Sequence, residues 1–166
     1  MSQGDFDDDE LSDRVGSFTL VFADRKFRWS PEVAAMHGYP PEPMTLPVDE
    51  VLAHKHPDDR DRVAALVEEL IDNRTPLSSR HRIIDRAGQQ HDVLVVSTTF
   101  VDDAGTVVGV DGFYVDISSV LDARLDSAVA DFTVHRAAIE QAKGMLMLAY
   151  GISGDRAFDV LRWRSQ

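Results

Sequence analysis

The sequence contains no cysteine, and this absence excludes several kinds of site. A chain without thiols has no disulfide framework, no thiolate nucleophile and no cysteine-ligated zinc site. Flavin photochemistry that proceeds through a cysteinyl adduct is excluded for the same reason. The composition is compatible with a reducing compartment, and we expect a cytoplasmic protein.

Long apolar runs are missing as well, and so are the motifs of common enzymes. No run approaches the roughly 20 apolar residues that cross a bilayer, and the acidic residues 1–10 are the reverse of a secretory signal. There is no phosphate-binding glycine loop and no Ser/His/Asp arrangement. The pairs Asp58-Asp59 and Asp102-Asp103 stand at a helix start and a turn, where aspartate is expected for local reasons. We therefore predict no membrane contact, no catalytic residue and no enzyme activity.

Basic residues are few, and their distribution is uneven. The 166-residue chain is 43% hydrophobic and has a formal net charge of -12, which argues against general nucleic-acid binding. Residues 136–166 differ, because five basic residues there outnumber three acidic ones, which gives this segment +2 and the remainder -14. The basic residues are Arg136, Lys143, Arg156, Arg162 and Arg164, and the acidic ones are Glu140, Asp155 and Asp159. An acidic body with a basic tail indicates two separate tasks.

The first 118 residues predict a mixed α+β domain behind a disordered acidic leader, residues 1–16. Ser17 begins the first segment of strand composition, and Asp/Gly hairpin turns join the last three segments. The predicted strands cover residues 17–22, 27–29, 77–84, 91–101 and 106–117. We expect a five-stranded antiparallel sheet with one face against the helices.

Capping residues mark the helices between these strands. Ser30 followed by Pro31 predicts the start of a short helix, and Pro57 predicts that of a longer one. Four prolines make residues 39–47 a loop or broken helical turns.

After Ile117 the pattern changes to an unbroken heptad seam with alternating spacings of four and three residues. The seam consists of Leu121, Leu125, Ala128, Phe132, His135, Ile139, Ala142, Leu146 and Ala149. A single helix of about 30 residues cannot bury such a stripe against a small domain, so we predict a parallel homodimer through a coiled coil. Gly151 ends this helix, and a shorter helix follows from about Arg156.

The first region resembles a PAS domain of the kind called PAS fold-3. The matching segments are FRWSPE (27–32), HGY (37–39), HPDDR (56–60), RIIDRAG (82–88) and GFYVDIS (112–118). The resemblance covers residues 17–118 and implies a sensor domain whose pocket can hold a small-molecule ligand. It also implies that Asp116 and Ile117 form the junction that passes a signal to the following helix.

The second region resembles the opening of an ANTAR domain, the RNA-binding antitermination module. The matching frame is Arg136, Ile139, Ala142-Lys143-Gly144, Leu146-Met147, Gly151, Ala157-Phe158, Leu161-Arg162 and Ser165-Gln166. We divide this part into a signalling helix, residues 119–135, and a helical module, residues 136–166. The family has three helices, and the third, which contributes to the RNA surface, is missing here. RNA binding is therefore expected of the parent protein and left open for this chain.

Four basic side chains of that module are the candidate RNA contacts. The resemblance implies that Arg136, Lys143, Arg162 and Arg164 bind RNA hairpins, with Lys143 the first choice because it lies in the Ala-Lys-Gly triplet. The alternative is a solvated helix face.

The histidines do not predict a metal site. His54 and His56 are two residues apart but have no third ligand. Some PAS domains bind haem through a histidine on the helix that here starts at Pro57, but these two precede it, so haem is not favoured. The cofactor is unknown, and none is required. His135, on the seam, either responds to pH or sets the register of the dimer.

These features favour a bacterial sensory regulator in which a PAS domain controls an RNA-binding antiterminator through a dimeric helix. The rival is a PAS homodimerisation and sensing module that acts through protein contacts without RNA. A third, weaker reading is a cofactor-binding sensor, which colour in the purified protein would reveal.

Overall fold

The computed structural model describes residues 14–118, which contain the whole of the expected sensor domain. Residues 1–13 of the leader lie outside the described residues. So do residues 119–166, with the heptad seam and the four candidate RNA contacts.

Strands and short helices alternate in the order expected of an α+β domain. The strands are β1 Val15–Val21, β2 Lys26–Trp29, β3 Met44–Pro47, β4 Ser78–Ile84, β5 Gln90–Val101 and β6 Val107–Asp116. The helices are α1 Pro31–Met36, α2 Val48–Ala53 and α3 Pro57–Asn73. All strand pairs are antiparallel and follow the order β3-β2-β1-β6-β5-β4, so β1 and β6 are central. The predicted fold class is confirmed.

The sheet has six strands rather than the expected five, because β3 forms within the proline-rich segment. This strand pairs only with β2, and its Leu46 lies opposite Phe27 and is buried. Proline is tolerated in an edge strand because the missing N–H is not needed by a second neighbour. Burial of Leu46 thus outweighs the turn signal of the surrounding prolines.

The first strand begins at Val15, two residues before the expected start and inside the predicted leader. Val15 is fully buried and pairs with Val115 of β6. Gly16 follows, and a Cβ there would lie 2.5 Å from Cγ2 of Val33. The glycine that weakened the strand signal is therefore what lets β1 pass directly against α1.

Local capping fixes where two helices begin, as predicted. The Ser30 hydroxyl accepts hydrogen bonds from the backbone N–H of Val33 in α1 and of Ser17 in β1. His56 caps α3, since its Nδ1 accepts from the N–H of Asp58. Within residues 14–118, no helix has both the length and the apolar character needed to cross a bilayer.

The helices cover one face of the sheet. Side chains from this face and from the helices form a single apolar cluster, which includes Phe18, Leu20, Val33, Val63, Val67, Leu70 and Tyr114. Full burial of such a side chain contributes about 1.5 to 3 kcal/mol. Strand alternation directs another buried set, Leu94, Val96, Phe113 and Val115, to the opposite face.

An ion pair ties α3 to β4 at the edge of this core. Asp59 accepts two hydrogen bonds from the Arg82 guanidinium, at 2.9 and 3.0 Å, and a third from the Arg82 backbone N–H. These bonds with Arg82 hold the pKa of Asp59 well below its usual range, although burial opposes them. The carboxylate is largely shielded from solvent, so the pair is stronger than an exposed one.

We predict that Asp59→Asn lowers the free energy of unfolding by about 1 to 3 kcal/mol, since it removes a charge-assisted, bidentate contact. Urea unfolding at pH 7 measures this loss. Asp58→Asn is the matched control, because Asp58 stands in the same helical turn but is exposed and lies 3.9 Å from Arg82. An equal loss in both variants would show that the helix terminus, not the ion pair, is responsible.

Candidate sensor site and output junction

Three titratable side chains are buried in the apolar core between the helices and the sheet. His37, Lys55 and His81 are 0%, 2% and 4% exposed. His37 follows α1, Lys55 lies between α2 and α3 in an isolated bridge with Ile83, and His81 belongs to β4. Buried polar groups are costly unless they are paired, so a cluster of three in one core requires an explanation.

Lys55 is the most costly of these groups. Its Nζ donates a hydrogen bond to the Tyr114 hydroxyl, at 3.1 Å, and lies 5.1 Å from the centroid of the Tyr114 ring. Burial lowers the pKa of Lys55 to about 7, and burial also raises the pKa of Tyr114 above its usual range. Near neutral pH the core therefore holds a lysine that is charged in only part of the molecules.

His37 is held in one tautomer beside this lysine. Its Nδ1 lies 2.8 Å from the Val33 carbonyl oxygen, which can only accept, so Nδ1 carries the proton. The ring stacks on Trp29 with a centroid distance of 4.1 Å and meets Tyr114 edge to face. Burial, and then the charge of Lys55, lower the pKa of His37 well below its usual value. The neutral ring therefore presents Nε2 as an acceptor.

Three polar atoms around the cluster have no hydrogen-bond partner among the described residues. They are Nε1 of Trp29, Nε2 of His37 and Nε2 of His81. The other nitrogen of His81 contacts the Ser79 hydroxyl at 3.1 Å, and burial lowers the pKa of His81 far below its usual range. Unpaired buried polar groups are rare in folded proteins, and one explanation for such a group is a bound water or ion.

The pair His54 and His56 does not form a joint site. Nε2 of His54 lies 2.8 Å from the Tyr39 hydroxyl, whereas His56 caps α3. No group of three or more potential metal ligands occurs within residues 14–118.

The predicted junction residues, Asp116 and Ile117, lie together where β6 leaves the sheet. Ile117 is fully buried, and its N–H donates to the Asp92 carbonyl. Oδ1 of Asp116 accepts from both the backbone N–H and the hydroxyl of Ser118, and that hydroxyl accepts from the Asp92 N–H. The end of β6 is thus fastened to the start of β5.

His91 was not identified from the sequence, yet it links this junction to the β4–β5 hairpin. Its Nε2 lies 2.8 Å from Oδ2 of Asp85, and its Nδ1 lies 3.3 Å from Oδ2 of Asp116. Although partial burial raises the pKa of Asp85, the hydrogen bond from His91 and two backbone N–H groups lower it overall. The contact with Asp85 is a hydrogen bond, and the Asp116 carboxylate lies within ion-pair distance on the other side of the ring.

A backbone contact connects the buried cluster with this hairpin. The His37 carbonyl accepts from the N–H of Arg86, which follows Asp85. Gly38 permits the approach, because it has φ +82° and a Cβ there would lie 2.8 Å from the Arg86 nitrogen. A displacement at His37 can therefore reach Asp85 and His91 through directly bonded groups.

The sequence predicted Asp116 and Ile117 as a junction, which stays a prediction, and it pointed to His37 and His81 only as histidines that do not make a metal or haem site. His81 alternates with Ile83 along β4, and this alternation was the one usable signal of its burial.

Lys55 stands between two helices, where lysine is ordinarily exposed. Trp29 and Tyr114 are aromatic residues, which are often buried in a core without any role in a site.

We predict that Lys55→Met stabilises the protein by about 1 to 3 kcal/mol at pH 6, because a buried, poorly paired charge is replaced by an apolar chain of similar length. Below about pH 7 Lys55 is protonated in both the folded and unfolded states. Between about 7 and its ordinary pKa of 10.5, only the unfolded chain keeps the proton, so wild-type stability rises with pH. The gap between variant and wild type should therefore narrow from pH 6 to pH 9 in urea unfolding.

Lys26→Met, at an exposed lysine of β2, serves as the control for that experiment. A gap that does not change with pH, or a Lys55→Met protein less stable than wild type at pH 6, would contradict the prediction.

We predict that His91→Gln loosens the junction, because the shorter amide cannot keep the hydrogen bond to Asp85 and the contact with Asp116 together. Hydrogen exchange of the Asp116 and Ile117 amides should accelerate about tenfold, since a charge-assisted hydrogen bond contributes about 1.5 to 3 kcal/mol. Gln90→Ala, at the exposed neighbouring position, should leave these rates unchanged. Equal exchange in all three proteins would exclude a role for His91 in fastening β6.

Comparison with known proteins agrees with this fold. The protein-family model of the PAS fold matches residues 26–114, and the family model of the ANTAR domain matches residues 133–166. An uncharacterized Mycobacterium leprae (strain TN) protein, ML1796, is 37% identical over 123 residues, which are 72% of this chain and 90% of the relative.

Solved structures with the same fold include sensory proteins. One is an RNA-binding light-oxygen-voltage receptor, 29% identical with a TM-score of 0.54 over 92% of this chain and 44% of the receptor. Another is the N-terminal domain of a diguanylate cyclase with a PAS/PAC sensor from Marinobacter aquaeolei. It is 21% identical, with a TM-score of 0.56 over 63% of this chain and 96% of that one; at this identity the likeness concerns the fold alone. The chain belongs to the PAS family and carries a sensory PAS domain followed by an ANTAR domain.

Proposed function

We propose that this protein is a cytoplasmic transcription regulator in which the PAS domain controls RNA binding by the ANTAR module through a dimeric signalling helix. The observation that carries the proposal is the order of parts on one chain: a sensor match that ends at residue 114 and an ANTAR match that begins at residue 133. In this scheme residues 17–118 form the domain that senses a signal. Residues 119–135 form the helix that transmits the signal, and residues 136–166 begin the output module. Neither sensing nor RNA binding requires a catalytic step, and the proposal contains none.

Transmission in this proposal starts at β6. This strand carries Tyr114 toward the buried cluster and ends at Asp116 and Ile117, immediately before the heptad seam. A change in the cluster shifts the junction and therefore the packing of Leu121, Leu125 and the following seam residues in a parallel homodimer. The dimer then sets the spacing of two RNA-binding units.

Output in this proposal is the binding of paired RNA hairpins, which stabilises an antiterminator structure in a nascent transcript. Arg136, Lys143, Arg162 and Arg164 would contact phosphates and unpaired loop bases. The ANTAR match contains all four, and the similar light-oxygen-voltage receptor is an RNA-binding protein.

We predict that a labelled RNA with two tandem short hairpins binds a form of this protein extended through a third ANTAR helix, and that Lys143→Ala weakens binding at least about tenfold, as expected for a lost contact between lysine and RNA. Fluorescence anisotropy at physiological salt measures the affinity. Lys26→Ala, at an exposed lysine of the PAS domain, is the matched control and should bind like wild type.

The same titration with the 166-residue chain tests whether the third helix is needed. Failure of both forms to bind at micromolar protein would reject the RNA role and favour the rival function, a PAS homodimer that signals through protein contacts. Sedimentation of the same samples tests the dimer separately.

A further inference from the structure

We propose that the buried cluster of Trp29, His37, Lys55, His81 and Tyr114 binds a small monocarboxylate, whose negative charge pairs with the Lys55 ammonium. The proposal rests on the sensory role given above to the PAS domain and names the chemical class that this domain senses. The ligand proposal concerns only the core of the PAS domain. Ligand binding can therefore be absent while RNA binding is observed, and RNA binding can be absent while the ligand binds.

The charge of Lys55 is the first argument for an anion. Lys55 is the one lysine or arginine side chain buried in the described part of the chain, and no carboxylate pairs with it there. An ammonium group has three donors, and the Tyr114 hydroxyl takes one of them. Two donors and a positive charge are left in a medium where both are costly. Water can accept the hydrogen bonds, but only an anion also compensates the charge.

The surrounding unpaired atoms support a carboxylate in particular. Nε1 of Trp29 is a buried donor without a partner, and a carboxylate that pairs with Lys55 has a second oxygen that can accept from such a donor. Nε2 of His37 is an acceptor without a partner, and a hydroxyl group on the ligand can donate to it. One buried cation matches one negative charge, which disfavours a phosphate dianion.

The aromatic rings of the cluster pack closely against one another. Trp29 and His37 stack at a centroid distance of 4.1 Å, and the centroids of His37 and Tyr114 are 5.5 Å apart. No ligand can slide between rings that already touch, so it must meet their polar edges.

Two connections carry the effect of such a ligand to the output junction. A carboxylate that accepts from the two free donors of Lys55 acts on the same ammonium group that bonds Tyr114, and Tyr114 lies two residues before Asp116 on β6. A contact at His37 acts on its carbonyl bond to Arg86, next to the Asp85–His91–Asp116 contacts.

The test uses lactate as the probe, because it has both a carboxylate and an adjacent hydroxyl, and lactamide as its neutral isostere. The full chain is titrated at pH 6.5 and constant ionic strength, by calorimetry and by NMR of the Trp29 indole N–H, which Trp29→Phe distinguishes from that of Trp163. We expect saturable binding of lactate with a shift of the Trp29 signal, and neither effect with lactamide.

Lys55→Met should weaken lactate binding about tenfold to a hundredfold, the effect of a lost charge-assisted hydrogen bond, whereas Lys26→Met should not change it. The proposal is overturned if lactate does not saturate the protein up to about 10 mM, if lactamide binds equally well, or if Lys55→Met keeps the wild-type affinity. The NMR measurement on the wild-type protein decides the question even if a variant does not fold.

Discussion

The hydrogen bond between Lys55 and Tyr114 joins the helical layer of the PAS domain to a central strand, and the proposed route from the core to the output junction depends on it. Lys55 is fastened at both ends, since its backbone pairs with Ile83 of β4 and its Nζ reaches Tyr114 of β6. The buried charge is destabilising in itself, and the apolar cluster around it has to supply the compensation. A core built for stability alone would place an apolar side chain here, so the lysine indicates a function other than stability.

The central position of β6 explains how one strand can serve both the core and the output. β6 pairs with β1 on one side and β5 on the other, and its alternate residues face opposite sides of the sheet. Tyr114 faces the helices, whereas Phe113 and Val115 face away from them. A slip by one residue would exchange these two sets between the faces, so the register of β6 is strongly specified.

One series of polar contacts leads from the buried core to the output junction. The route runs from Lys55 and His37 through the backbone of Arg86 to Asp85, His91 and Asp116. Hydrogen bonds are directional, so groups linked in this way have a small number of alternative arrangements, unlike apolar side chains that can slide past one another. This is the property required of an element with two states.

The sequence by itself determined what depends on near neighbours along the chain. Ser30 and Pro31 specify the start of α1, the Asp/Gly turns specify the hairpins of β4 to β6, and the quoted motifs specify the PAS and ANTAR families. Neither β3 nor the buried cluster could be predicted in this way. Pairing with β2 makes the segment β3 a strand, although its prolines locally favour a loop. The buried cluster depends on residues that are distant in sequence, since Lys55 and Tyr114 are 59 positions apart. Whether a lysine is buried depends on which distant segments pack around it. For Lys55 these segments are β4 and β6, and only the tertiary structure brings them together.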